Sequence, residues 1–220
     1  MHRRTVLASL GTCAALTGCQ TPGSSDRTAD ETATPPTCES SDPRRIELAG
    51  TATVPDGAEM SMTATTERTR STADAPAQVA VELRNDGPSR AVDVTDDGRC
   101  HLLNRDAGRS DPGGLWLYRA GDVPADRVGD CWTRDLPPRD SVGFDGYGCG
   151  RRPFESDETI ATTYEVWDDY TVDGHLEPDT YRFDASVALW DETAEGGSET
   201  SSEPLVVDWW FELSVATAGD

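Results

Sequence analysis

From Arg44 onward, apolar and polar positions alternate with a period of two, in short runs separated by Gly, Pro and Asp. The clearest run is the last. Leu205, Val207, Trp209, Phe211, Leu213 and Val215 alternate with Val206, Asp208, Trp210, Glu212 and Ser214. Successive side chains of a strand point to opposite faces, so this run predicts a half-buried strand with one apolar side. Tyr181, Phe183, Ala185, Val187 and Leu189 repeat the pattern against Arg182, Asp184, Ser186, Ala188 and Trp190. Val79, Val81 and Leu83 predict another strand, as do Ile160, Thr162, Tyr164 and Val166. Asn85-Asp86-Gly87-Pro88 reads as a turn, with Val92 and Val94 on the returning strand. Ile46 to Val54, Met60 to Thr66, Leu115 to Tyr118 and Ser141 to Tyr147 are weaker strand patterns. No stretch of about ten residues or more carries a helical apolar stripe. Short strands joined by turn residues predict an all-β, antiparallel β-sandwich over residues 44–217.

Residues 20–43 break the pattern. They are rich in Ser, Thr, Pro and Asp without apolar periodicity, which predicts a disordered tether. Ahead of them, Arg3 and Arg4 lead a modestly apolar stretch from Val6 to Leu16, followed by small residues and Cys19. That is the plan of a signal peptide over residues 1–18, too short to span a bilayer. The Arg3-Arg4 pair resembles a twin-arginine export signal. Leu16-Thr17-Gly18-Cys19 resembles a lipobox, preferred over the site at Cys13. The resemblance implies cleavage before Cys19 and a lipid on its sulfur, with residues 19–43 as the lipidated tether. The expected location is the extracytoplasmic face of the cell membrane, held by lipid alone.

Charge adds a second strand of evidence. Asp and Glu number 41 against 19 basic residues, for a net charge of −22, and no lysine occurs. Such self-repulsion is tolerable in molar salt, where the Debye length falls to about 3 Å. The acidic, lysine-free composition resembles haloarchaeal proteins. It also argues against nucleic acid as a partner, because phosphate binding needs a basic face.

Three phrases are similar to immunoglobulin-like bacterial and archaeal surface domains. VAVELRNDGPSRAVDV resembles their second and third strands as a hairpin. DLPPRDSVGFDGY resembles the turn into a middle strand, and HLEPDTYRFDASVAL the entry to the penultimate strand. The resemblance implies an immunoglobulin-like sandwich and puts Tyr181 where a tyrosine corner forms, its hydroxyl bonding back to the chain.

Cleavage and lipidation would leave Cys38, Cys100, Cys131 and Cys149, an even number in an oxidising compartment. Two disulfides are expected, with three connectivities open. Cys131–Cys149 is the preferred local staple, with Cys38–Cys100 clamping the tether to the sandwich. A metal site is disfavoured, since no C-x2-C pair exists.

Catalytic signatures are sparse. The mature chain has two histidines, His101 and His175, and neither accompanies a G-x-S-x-G, G-x-G-x-x-G or P-loop motif. A blue-copper site needs two His, a Cys and usually a Met in a short ligand loop, and the methionines here are Met1, Met60 and Met62. Asp168-Asp169, Asp96-Asp97 and Asp191-Glu192 read as solvated turns. Trp190 and Trp210 lie opposite the core positions of their strands, so they are the candidate binding patch. The sequence therefore points to a non-catalytic, cofactor-free and probably monomeric surface module that binds an envelope protein or glycan. The alternative is a cryptic enzyme or a divalent-metal-binding protein.

Overall fold

The computed structural model describes residues 43–96, 100–125, 127–136, 149–191 and 203–218. The signal segment, nearly all of the tether, Arg3, Arg4, Cys19, Cys38 and the strand expected over Ser141 to Tyr147 lie outside the described residues.

Ten strands form two antiparallel sheets. They are β1 (Arg44–Thr51), β2 (Met60–Arg68), β3 (Arg70–Ser71), β4 (Ala77–Asn85), β5 (Arg90–Val92), β6 (Leu115–Arg119), β7 (Arg152–Phe154), β8 (Thr159–Asp168), β9 (Thr180–Trp190) and β10 (Leu205–Thr217). The larger sheet has the order β3-β1-β10-β9-β5-β7 and the smaller β2-β4-β8-β6. Apolar residues from both sheets belong to one core cluster.

The alternation seen in the sequence sets the register. Val207 faces Val187, Trp209 faces Ala185, Phe211 faces Phe183 and Leu213 faces Tyr181. A large side chain thus sits opposite a small one at Trp209, while the two phenylalanine rings stack 5.2 Å apart. Shifting this register by one residue would turn the whole apolar set to solvent. Leu205 departs from the expected pattern. It stands at the protruding start of β10 and, with Val206, is about half exposed. The smaller sheet repeats the logic, with Leu83 opposite Ile160 and Val79 opposite Tyr164.

Two corrections concern connections. The Asn85–Pro88 turn does not make a hairpin: β5 leaves the smaller sheet and pairs with β7 and β9 in the larger one. The fully buried Asn85 organises this crossing. Its side-chain amide donates to the carbonyls of Pro88, Phe154 and Glu155, and its Oδ1 accepts from the Gly87 amide. Arg90, also buried, then donates to the carbonyls of Ala58 and Glu59. Gly87 is required there, because a Cβ would stand 2.2 Å from Arg90 Nη2. β3 and β7 are short pieces that carried no alternating signal.

A second aromatic layer covers the outside of β6 and β8. Trp116 and Trp167 are paired across these strands and almost fully buried, although they face away from the main core. Trp116 stacks on Tyr118 and Tyr170, and Trp132 meets Trp167 edge-on. Trp132 donates its indole N–H to the Thr72 carbonyl, and the Arg127 guanidinium lies 3.7 Å over its ring.

At the entry to β9, the Tyr181 hydroxyl donates to the Glu177 carbonyl at 2.8 Å. The corner contact expected of Tyr181 therefore forms.

Candidate binding site

Both described histidines are turned inward. His101 Nδ1 lies 3.2 Å from the Tyr164 hydroxyl, which also accepts from the Leu103 amide. Burial, reinforced by the Arg119 guanidinium, holds the His101 pKa down at about 4. Burial likewise pushes the Tyr164 hydroxyl up to about 12. His175 Nδ1 is enclosed, 3.9 Å from Asp168 Oδ2. These groups occupy separate places in the fold.

Asp168 and Asp169 are not a solvated turn. Both are buried. Asp168 Oδ1 accepts from the Leu176 amide. Asp169 Oδ2 pairs with Arg109 Nε at 2.5 Å, and its Oδ1 accepts from the amide and hydroxyl of Thr171. The pair fixes the segment after β8, and every close partner it has is protein. Among the described residues, no group of three or more His, Cys, Asp or Glu is placed to hold a metal ion. No described helix is long and apolar enough to cross a membrane.

The cysteines correct the preferred pairing. Cys100 is bonded to Cys149, with Cα atoms 5.5 Å apart. This excludes both Cys131–Cys149 and Cys38–Cys100. Cys131 is also disulfide-bonded and is buried, its partner lying outside the described residues. The staple therefore links the segment after β5 to the one before β7, two strands that are themselves hydrogen-bonded neighbours. Order along the chain gave no means of seeing that.

Trp190 and Trp210 lie on the outer face of the larger sheet, opposite the core, but the structure does not bring them together. Trp210 is registered against Asp184, six residues along β9 from Trp190. At about 3.3 Å per residue that is roughly 20 Å. Trp190 is half-buried beneath the Arg151 guanidinium, 4.1 Å from its ring centre. Its Nε1 is enclosed and has no hydrogen-bond partner among the described residues.

Trp210 has a more open setting. It leans over β1 at Gly50, where a Cβ would stand 3.4 Å from Trp210 Cζ3 and 3.1 Å from Glu212 Oε2. The β1–β10 register shifts between Leu48 and Gly50, so the glycine sits at an irregularity that makes room for the indole. On the other side, the Arg182 guanidinium lies 4.5 Å from the ring centre. Arg182 is itself aimed by Asp184, to which its Nη2 donates at 2.7 Å. Beside this group runs an open groove of about 460 Å³, lined by Trp210, Arg182, Asp184, Ser186, Asp208 and Ala107. Ala107 comes from a short 3-10 turn (Arg105–Gly108). Past that turn, Asp111 exchanges backbone hydrogen bonds with Arg182, which ties the segment to β9. The sequence flagged Trp210 through its polar-face position, but gave no sign of the groove, because its wall comes from a loop distant in the chain.

No protein-family model, no curated protein and no solved structure matches this chain.

Proposed function

We propose that this chain is an exported envelope lipoprotein, anchored through Cys19, whose body is an immunoglobulin-like β-sandwich acting as a non-catalytic binding module. The observation that carries the binding reading is the Trp210 groove: an aromatic ring held by neighbours on both sides, beside polar groups on rigid strands. Binding sites typically combine such an apolar surface with a few fixed polar groups. The non-catalytic reading is supported by the inward placement of His101 and His175. The immunoglobulin-like reading is supported by the two antiparallel sheets, the Asn85 crossing and the Tyr181 corner. Export and anchorage rest on Arg3-Arg4 and Leu16–Cys19. The acidic, lysine-free composition supports a halophilic setting.

The test is cell fractionation in molar salt. Native chain is expected with the membrane, and Cys19→Ser in the medium or retained as precursor. A Cys19→Ser variant that is processed and still membrane-bound would overturn the anchor. Replacing Arg3 and Arg4 with lysine is expected to block export; normal export would overturn the twin-arginine route. A stoichiometric transition metal in the native protein would overturn the cofactor-free binding reading.

A further inference from the structure

The outer face of β9 and β10 carries an unusual combination. A tryptophan is held half-open between Gly50 and Arg182, and three hydrogen-bonding side chains (Asp184, Ser186 and Asp208) stand beside it. The register places them closely: Asp208 faces Ser186, and Trp210 faces Asp184. The volume, about 460 Å³, lies within the range of about 300–1,000 Å³ that small-ligand sites occupy.

The surroundings narrow the ligand. β9 and β10 are interior strands here, their backbone groups bonded to each other and to Asp111, so no strand edge is free to take up a peptide as an added strand. Asp184, Asp208 and the nearby Glu212 outnumber Arg182, which disfavours an anion. A cation would have to share the Trp210 ring with the Arg182 guanidinium already over it. What remains is a neutral ligand with one apolar face and many hydroxyl donors. A sugar ring has that form: its C–H face lies on an indole, and its hydroxyls donate to carboxylates and a serine oxygen.

We infer that the groove beside Trp210 is a binding site for the neutral sugar ring of a glycan chain. The assignment rests on the reading of this chain as a binding module and names the ligand class of that same site.

The test is calorimetric titration of the full chain in molar KCl with three neutral disaccharides: maltose, cellobiose and diacetylchitobiose. The Trp210 indole N–H resonance is followed in parallel. The expected result is saturable binding of at least one disaccharide with a shift of that resonance, and weaker binding of glucuronic acid. Trp210→Ala should weaken binding about ten-fold or more, a change equivalent to about 1.4 kcal/mol. Because Trp210→Ala also empties the space over Gly50, Ser186→Gln serves as a second variant. It fills the groove while leaving Trp210 and its supports in place, and should weaken binding by a similar factor. Binding of none of the three disaccharides, or equal binding by Ser186→Gln, would overturn the assignment. An envelope component captured equally by native chain and Ser186→Gln would overturn the groove but leave the binding-module reading standing. Release of reducing ends during the titration would support the groove and overturn the non-catalytic reading.

Discussion

The ring of Tyr181 closes over Gly114 so tightly that a Cβ added at Gly114 would stand 2.4 Å from Tyr181 Cε1. The ring has no room to retreat, because Tyr181 is buried and its hydroxyl is tied to the Glu177 carbonyl. Gly114→Ala should therefore cost about 1–3 kcal/mol, the usual range for forced overpacking. Tyr181→Phe, which keeps the ring and loses the hydrogen bond, should cost about 1 kcal/mol. Urea denaturation in molar KCl would measure both, and a neutral Gly114→Ala would show that the loop carrying it can shift.

His101 gives a pH dependence with a definite sign. Its folded pKa lies at about 4, below the ordinary value of 6.5. Between these two values the unfolded chain binds a proton that the folded chain refuses. Stability is therefore full above about 6.5, declines as pH falls through this window and levels off below about 4. His101 retains partial contact with solvent, so the effect should be on the order of 1 kcal/mol after screening. Carboxylates titrate in the same range, so the comparison is with His101→Gln. Denaturation midpoints followed against pH should fall less steeply for the variant, and parallel curves would refute the role of His101.

The disulfides can be mapped on non-reduced peptides. Cys100–Cys149 should be recovered, and Cys131 should be joined to Cys38, the cysteine left once Cys19 carries lipid and Cys13 departs with the signal. A free thiol at any of these four positions would contradict that assignment. The Cys100–Cys149 bond spans 49 residues. On the chain-entropy model, its removal by Cys100→Ser with Cys149→Ser should cost about 4 kcal/mol.

Salt removal tests the charge. Loss of Arg3 and Arg4 with the signal would take the net charge from −22 to −24. At about 10 mM salt the Debye length grows to about 30 Å, and self-repulsion acts across the whole domain. Dialysis out of molar KCl should shift tryptophan fluorescence to the red, reversibly on returning salt. An unchanged spectrum and melting temperature would show that the acidic surface is tolerated without screening.

What was legible in the sequence follows the physics of half-buried strands. β9 and β10 alternate strictly because one of their faces meets the core and the other meets solvent, so register and orientation could both be read. Trp167 and Trp116 defied that reading. The outer side of β6 and β8 is also covered, and an aromatic on the polar face does not say whether a loop packs over it. Asp168 and Asp169 misled for a related reason. Adjacent acids are normally hydrated, and only Arg109, brought from far away in sequence, makes burial affordable for Asp169. The turn at Asn85 was recognisable, but its residues serve a hairpin and a crossing equally well. The difference lies in where the Asn85 amide finds its carbonyls, at Phe154 and Glu155. Trp210 was picked out correctly as facing away from the core, and its company of Gly50, Arg182 and Ala107 emerged only with the fold.

β1 is the first strand of the body, and its pairing with β10 runs from Arg44 opposite Thr217 to Thr51 opposite Phe211. Gly50 and Trp210 lie near the far end of that ladder from Arg44. The chain that enters at Arg44 is the one that leads back toward Cys19. A ligand held beside Trp210 and a membrane pulling through the tether would thus load β1 lengthwise, from its two ends. Stress along that line shears the β1–β10 hydrogen bonds together instead of opening them one after another. The site and its attachment point are arranged as in a mechanical lap joint, in which resistance to rupture grows with the length of overlap.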